Sequence, residues 1–220
     1  MRIDRRGFVG LLAGPGAGGR QVRAFAADQA LDVQLLQTAA SIENVLVSAY
    51  DTILGLPAFT ANTANAVFKN LATTARAQHA DHAAACNELA GKLGGRPQTG
   101  ANPFLAQAVT RARPALNDLG PAVDLALLLE TASAHTYQFD IGLLTDLNAR
   151  RMAASVLGVE SEHVGLLRVI RALLAARTPE FVTLDSGNAT RLPPEASTAG
   201  FPEPFAKPEQ ARPAAEGAVG

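Results

Sequence analysis

The sequence predicts an all-α fold, a bundle of four long helices, and three observations indicate it. Apolar residues recur with the 3.6-residue period of an amphipathic helix in four separate segments. Hydrophobic residues make up 48% of the 220-residue chain, whereas aromatic residues are only 5% and Trp is absent. This composition suits closely packed helices better than a sandwich or a barrel. Glycines and prolines separate the periodic segments and mark where each helix ends.

Four helices and one crossover follow from these stripes and breaks. Asp28 or Asp32 can cap the first helix, and Gly55 ends it. Residues 98–120 are longer than an ordinary connection in a bundle, and Asn102-Pro103 predicts a short helix inside them that continues to about Arg113. The four long helices are predicted at residues 28–54, 62–93, 121–146 and 148–176.

The last part of the chain has a different composition. Seven of the 13 prolines follow Arg177, and proline at this density precludes a long helix. The sequence therefore predicts a helical domain at residues 27–177, followed by an extended Pro-rich tail at residues 178–220. We expect the last ten residues of that tail to be disordered.

The first 26 residues predict an export signal. Arg5-Arg6-Gly7-Phe8 precedes a short apolar stretch and is similar to a twin-arginine signal, and Ala24-Phe25-Ala26 is a small-x-small site for a signal peptidase. The expected location is therefore the periplasm, the cell wall or the extracellular space, by the twin-arginine route. The alternative is a basic leader in a protein that stays inside the cell.

Charge and cysteine content exclude several kinds of partner and site. Cleavage after Ala26 would remove five of the 19 basic residues and one of the 20 acidic residues, which leaves a net charge of −5. That balance argues against a nucleic-acid partner or an anionic membrane surface. No apolar run reaches the roughly 18 residues that a membrane span needs, so we do not expect an integral membrane protein. A single cysteine allows no intrachain disulfide and no Cys-based zinc site.

The most informative stretch lies in the fourth helix. Glu160 and His163 are three residues apart, so their side chains lie one above the other on the apolar stripe. Burying a carboxylate and an imidazole costs several kcal/mol unless hydrogen bonds or a cation compensate. Helical bundles build metal centres from Glu-x-x-His pairs of this kind. The pair therefore predicts a metal site if the other helices supply ligands.

The other three helices do supply candidate ligands on their apolar faces, and a four-helix bundle would bring them together at mid-height. Tyr50 and Tyr137 each follow one of these glutamates by seven residues, and we interpret them as core residues with hydrogen-bonded hydroxyls. Cys86 is one turn from His82; it is interpreted as a packed thiol, with a soft metal ligand as the alternative. The predicted metal ligands are Glu43, His79, His82, Glu130, Glu160 and His163.

These ligands, in this order across four helices, resemble the ferritin-like superfamily. With Arg5-Arg6, the chain is similar to secreted bacterial ferritin-like domain proteins that carry a twin-arginine signal. Residues 79–85, 98–103 and 210–217 are also like that group, so the resemblance covers roughly residues 28–217. It implies a ferritin-like up-down four-helix bundle with a long crossover.

The resemblance also implies roles for the ligands. Glu160 matches a bridging carboxylate, whereas His79 stands where the family pattern has Glu. Imidazole-rich ligation suits Zn, Cu, Fe or a mononuclear site. The expected cofactor is iron, as a di-iron or mononuclear site, with Mn, Zn or Cu as alternatives. The terminal ligands would be Glu43, His82, Glu130 and His163.

Two functions remain open at this stage. If iron is bound, the resemblance implies oxidation of Fe(II) or handling of peroxide, and whether the protein is an enzyme is undecided. The alternative is a non-enzymatic secreted scaffold or stress-protection protein with a degenerate metal site, which His79 and the Pro-rich tail suggest. Metal ions are the expected partners, and a homodimer is possible. The tail argues against a 24-subunit storage shell.

Overall fold

The computed structural model describes residues 17–57, 66–177 and 211–219, with side chains from residue 28 in the first range and from residue 68 in the second. The predicted Arg5-Arg6 signal and residues 178–210 of the predicted tail lie outside these ranges. Within them, every regular element is helical. The elements are α1 (Ala17–Leu54), α2 (Ala66–Lys92), α3 (Pro103–Ala112) with a 3-10 turn at Arg113–Ala115, α4 (Leu119–Leu143) and α5 (Leu147–Ala175).

The prediction of an all-α fold is confirmed, and the long helices agree with the predicted ranges to within a few residues, except at the start of the first helix. Helix α1 begins at Ala17, before the predicted caps, and continues through Ala26. The reason is local: between Arg20 and Asp28 the chain holds only Ala, Arg, Gln, Val, Phe and Asp, with neither Gly nor Pro to end a helix. None of the helices in the described ranges is both long and apolar enough to cross a bilayer.

The four long helices form two hairpins, α1 with α2 and α4 with α5, which are the most closely packed pairs. Helices α1 and α4 are antiparallel, because Asp32 meets Thr145 near one end and Tyr50 meets Glu130 towards the other. Since each hairpin is antiparallel, α2 and α4 run parallel to each other. The connection that holds α3 must therefore return along the bundle, as its predicted length suggested.

Polar contacts hold this crossover on α1. The backbone N–H of Asn102 donates to the carbonyl of Ser41 at 2.9 Å, and its side chain caps α3 by accepting from the N–H of Leu105 at 3.1 Å. The side-chain amide of Asn44 donates to two crossover carbonyls, those of Gln98 and Gly100. Such bonds satisfy backbone groups of the loop that would otherwise be buried and unpaired.

Two apolar clusters fill the bundle and leave a polar level between them. One cluster includes Leu46, Leu129 and Leu167, and the other includes Leu36 and Leu144, all of them buried. Each fully buried side chain of this size contributes about 1.5–3 kcal/mol relative to exposure. The clusters therefore stabilise the helix pairing that surrounds the polar level.

The C-terminal residues 211–219 pack against α1, so the expectation of disorder for the last ten residues was wrong for this segment. The N–H of Gly217 donates to the Thr38 hydroxyl at 3.1 Å, and its carbonyl accepts from the Gln98 side chain. A β-carbon at Gly217 would lie 2.8 Å from the β-carbon of Ser41. Glycine thus permits a close approach that the sequence pattern alone did not reveal.

Candidate metal centre

All six predicted ligands lie at the polar level of the bundle. Their side chains form two overlapping groups, in each of which one candidate ligand atom per residue lies within 4.8 Å of the others. Both groups contain His79 and Glu160, which are fully buried. The first group is Glu43, His79, His82 and Glu160, and the second is His79, Glu130, Glu160 and His163.

The two tyrosines cross between helices to reach these carboxylates. The hydroxyl of Tyr50 on α1 donates to Oε1 of Glu130 on α4 at 2.5 Å, and that of Tyr137 on α4 donates to Oε1 of Glu43 on α1 at 2.7 Å. Burial, followed by nearby negative charge, raises the pKa of Tyr50 and that of Tyr137 well above the ordinary value. Each hydroxyl therefore stays protonated and serves as a donor to the glutamate of the opposite helix.

These two crossing hydrogen bonds give the centre an approximate two-fold symmetry between the two hairpins. The symmetry relates the α1 residues to those of α4 and the α2 residues to those of α5. It is broken at one pair, where His79 on α2 corresponds to Glu160 on α5. The related pairs are Glu43 and Glu130, Tyr50 and Tyr137, His79 and Glu160, and His82 and His163.

His79 joins two carboxylates. Its Nδ1 lies 2.7 Å from Oε2 of Glu43, and its Nε2 lies 3.0 Å from Oε1 of Glu130. Carboxylates only accept hydrogen bonds, so this arrangement requires a proton on both ring nitrogens. Burial alone would lower the pKa of His79, but the charges and hydrogen bonds of Glu130 and Glu43 outweigh it and raise the pKa well above its ordinary value. The imidazolium thus compensates part of the buried negative charge.

Glu130 and His163 complete a hydrogen-bonded chain with Gln78. Oε2 of Glu130 lies 3.3 Å from Nδ1 of His163, whose Nε2 lies 2.7 Å from Oε1 of Gln78. Burial alone would raise the pKa of Glu130, but the charge of His79 and the hydrogen bonds of His163 and His79 lower it. Sequence reasoning missed Gln78, and its only signal was its position next to His79.

Glu160 and His82 are arranged differently. Glu160 is fully buried, yet both of its carboxylate oxygens lack a hydrogen-bond partner among the described residues. Nδ1 of His82 lies 3.1 Å from Oε1 of Glu160 and 3.7 Å from Oε2 of Glu43, but it is aligned for a hydrogen bond with neither. Oε1 of Glu160 also lies 3.5 Å from Nδ1 of His79, too far for a hydrogen bond within the group. A buried carboxylate that accepts no hydrogen bond costs several kcal/mol, so a proton or a cation must compensate.

The pKa values of Glu160 and His82 are both raised at this buried position. Burial, followed by the charges of Glu43 and Glu130, raises the pKa of Glu160 to about 8. Burial alone would lower the pKa of His82, but the adjacent carboxylates of Glu160 and Glu43 outweigh it and raise the pKa to about 9. Imidazole nitrogens and carboxylate oxygens are ligands of first-row transition metals, and one such atom from each residue of the first group lies within 4.8 Å of the others, so the residues fit such an ion.

A profile of the ferritin-like domain matches residues 31–173 of the chain. The chain belongs to the ferritin-like domain family. The match includes all six candidate ligands of this ferritin-like protein and the greater part of its four long helices. No curated protein and no solved structure matches the chain.

Among the described parts of this ferritin-like bundle, α2 and α5 are the least closely packed neighbouring helices of the four. One histidine on each of these helices retains some exposure, 12% of the side chain for His82 and 11% for His163. The carboxylates of Glu43, Glu130 and Glu160 are fully buried. A small ion would therefore reach the carboxylates past the histidine rings.

Cys86 lies beside the centre in the ferritin-like core but packs among apolar residues. Its Sγ is 3.4 Å from the hydroxyl of Tyr137, and the side chain is fully buried. Burial raises the pKa of the Cys86 thiol far above its ordinary value, so the sulfur stays protonated. This arrangement favours the packed-thiol interpretation over the soft-ligand alternative.

Proposed function

We propose that this ferritin-like protein binds a transition-metal ion in its core and uses it to oxidise Fe(II), with dioxygen or peroxide as the electron acceptor, or to handle peroxide. The observation that carries the proposal is the pair of unpartnered, fully buried oxygens of Glu160 facing Nδ1 of His82. Iron is the proposed metal because its one-electron chemistry suits both reactions, and Mn, Zn and Cu are the alternatives. The proposed ligands are drawn from Glu43, His79, His82, Glu130, Glu160 and His163.

The chain's own residues would prepare the centre in three ways. The hydroxyls of Tyr50 and Tyr137 hold the carboxylates of Glu130 and Glu43 in place by donating to one oxygen of each. The two apolar clusters above and below exclude bulk water, which strengthens electrostatic interactions within the polar level. His79 keeps positive charge between two glutamates, which limits their mutual repulsion.

Elemental analysis of protein purified without chelator tests the proposal, before and after anaerobic loading with Fe(II). We expect a stoichiometric transition metal, because metal binding would compensate the buried charge that folding creates. Less than about a tenth of an equivalent of any transition metal after loading would refute the proposal. A Glu160→Ala variant serves as the matched control and is expected to lose the metal.

A second candidate is a non-enzymatic secreted scaffold or stress-protection protein with a degenerate metal site. The observation that favours it is His79, since an imidazolium between Glu43 and Glu130 offers charge compensation without a metal. The two candidates differ in their response to loss of Glu160. If the Glu160→Ala variant oxidises Fe(II) no more slowly than the unaltered protein, the scaffold is favoured.

We also propose that the protein is exported in folded form by the twin-arginine route. The family match begins at residue 31, after the predicted cleavage at Ala26, which supports a leader outside the domain. Folding before export would allow the buried site to take its metal from the cytoplasmic supply, and not from competing Cu or Zn outside. Replacing Arg5 and Arg6 with Lys should leave uncut precursor in the cytoplasm. Normal processing of that variant would contradict the proposal.

We also propose that the protein assembles as a homodimer. Size-exclusion chromatography with light scattering measures the mass of the metal-loaded protein directly. A mass of two chains would support the homodimer, and a 24-subunit mass would contradict it.

A further inference from the structure

We infer that the core holds a single metal ion, ligated by Glu43, His82 and Glu160, and that Glu130 and His163 belong to a hydrogen-bonded network that leaves no place for a second ion. This inference rests on the proposed function, since it takes metal binding at this level of the bundle as given.

The two groups of candidate ligands overlap too much to act independently. Both contain His79 and Glu160, so only Glu130 and His163 belong to the second group alone. We call the places that the two groups surround the first and the second position. A second ion would therefore depend on freeing these two side chains from their present partners. Their hydrogen bonds decide whether that position can be filled.

At the second position, the donor and acceptor atoms are already in use. Oε1 of Glu130 faces the Tyr50 hydroxyl at 2.5 Å and Nε2 of His79 at 3.0 Å, and Oε2 faces Nδ1 of His163 at 3.3 Å. The other nitrogen of His163 is 2.7 Å from the Gln78 side-chain oxygen. Breaking such contacts leaves buried polar groups unpaired, at a cost of about 1–3 kcal/mol each.

His79 is the residue that closes this network. Both of its ring nitrogens lie within hydrogen-bond distance of carboxylate oxygens, one on Glu43 and one on Glu130. The ring can bind an ion only by giving up one of those carboxylates. A glutamate at this position would instead supply two oxygens and no N–H group, so Glu130 would lose a donor and become available to an ion.

The first position has the opposite character. Both oxygens of Glu160 and Nδ1 of His82 have no hydrogen-bond partner among the residues that the structure describes. Oε2 of Glu43 lies 3.7 Å from the same histidine nitrogen and 2.7 Å from Nδ1 of His79, and Oε1 of Glu43 is held by Tyr137 at 2.7 Å. Glu160 and His82 thus turn unpartnered atoms to one place, and Glu43 can join them by exchanging only its contact with His79. An ion therefore gains most at this position, since neither nitrogen of His163 at the other position is without a partner.

The test counts bound ions with a readout that does not depend on activity. Metal-depleted protein is titrated with Mn(II) without oxygen, and bound Mn is counted by elemental analysis after desalting. Electron paramagnetic resonance then distinguishes an isolated ion from an exchange-coupled pair, because ions in paired sites lie only about 3.5–4 Å apart. We expect one isolated Mn(II) per chain in the unaltered protein and a coupled pair in the His79→Glu variant.

Two glutamine variants keep the inference testable even if His79→Glu does not fold. Glu160→Gln should weaken Mn(II) binding by more than about 100-fold, whereas Glu130→Gln should weaken it by no more than about tenfold. Circular dichroism confirms that each variant retains its helices.

Each outcome separates the inference from the proposed function. Two ions in the unaltered protein would overturn the inference and leave metal binding intact, as would equal losses in the two glutamine variants. A folded His79→Glu variant that still holds one ion would also overturn it. No bound ion in the unaltered protein would refute the proposed function itself.

Discussion

Replacing Tyr137 with Phe tests whether the hydroxyl that crosses from α4 to α1 stabilises the carboxylate of Glu43. The change keeps the buried ring and removes a donor 2.7 Å from Oε1 of a fully buried carboxylate. Oε2 keeps its contact with His79, so Glu43 is left half satisfied. A hydrogen bond to a charged group contributes about 1.5–3 kcal/mol, so we expect the free energy of unfolding of the metal-free protein to fall by about 2 kcal/mol.

Urea unfolding of the metal-free protein measures this loss, and a double-mutant cycle assigns it to a partner. In a Glu43→Gln background the carboxylate charge is absent, so Tyr137→Phe should cost about 1 kcal/mol less than in the unaltered protein. Tyr50→Phe is the matched control, because its hydroxyl contacts Glu130 and not Glu43. Its cost should change by less than about 0.5 kcal/mol in the same background.

The same double-mutant cycles can contradict the pairing of each tyrosine with the glutamate of the opposite helix. Tyr137 lies two turns from Glu130 on its own helix, and Tyr50 lies two turns from Glu43. If Tyr137→Phe couples to Glu130→Gln more strongly than to Glu43→Gln, the hydroxyl does not cross between helices as described. A loss below about 0.5 kcal/mol in every background would show that the hydroxyl contributes nothing measurable.

Three other changes test parts of the fold outside the metal centre. Burial raises the pKa of Asp140 to about 8, so the folded state holds a proton that the unfolded state releases near pH 4, and stability falls as pH rises between these values. The free energy of unfolding of Asp140→Asn should therefore exceed that of the unaltered protein by roughly 2–5 kcal/mol at about pH 9 and by much less near pH 4. Urea midpoints that depend on pH in the same way in both proteins would contradict this. Asp32 accepts from two backbone N–H groups at the turn between α4 and α5, so Asp32→Ala should cost about 1–3 kcal/mol in urea unfolding. Asp28→Ala, at an exposed position, should change stability by less than about 0.5 kcal/mol, and equal losses would count against this role of Asp32 at the turn. Gly217→Ala should make the C-terminal segment more accessible to limited proteolysis, because the added methyl group meets Ser41; an unchanged cleavage rate would refute this.

Much of the fold was predictable because it depends on local patterns. Apolar stripes with helical period, and the glycines and prolines between them, placed four long helices and the crossover within a few residues. The start of α1 was not predictable from its caps, since no residue between Arg20 and Asp28 interrupts a helix. The packing of residues 211–219 was missed because it depends on a close approach of Gly217 to α1, which leaves no periodic signal.

The candidate site likewise contains features that the sequence predicts and features that it does not. The six residues could be named from the sequence, since polar groups on apolar helical faces must meet in the core of a bundle. Gln78 could not be named, because a glutamine on a half-buried face is unremarkable until a particular histidine lies 2.7 Å from it. The hydrogen bonds of the tyrosines to the glutamates of the opposite hairpin could not be predicted either. A spacing of seven residues places Tyr50 and Glu43 on one helix face, but it does not indicate which glutamate the hydroxyl contacts.

The sequence by itself determined the class of fold, the level of the bundle at which charge is buried and the residue types that meet there, because helical periodicity is a property of each segment alone. Only the tertiary structure decided which of those groups are satisfied by one another. His79 is held between Glu43 and Glu130, whereas Glu160 and His82 face each other without a hydrogen bond. The physical reason is that hydrogen bonding depends on fractions of an ångström and on direction across helices far apart in the chain, and neither quantity is encoded in spacing.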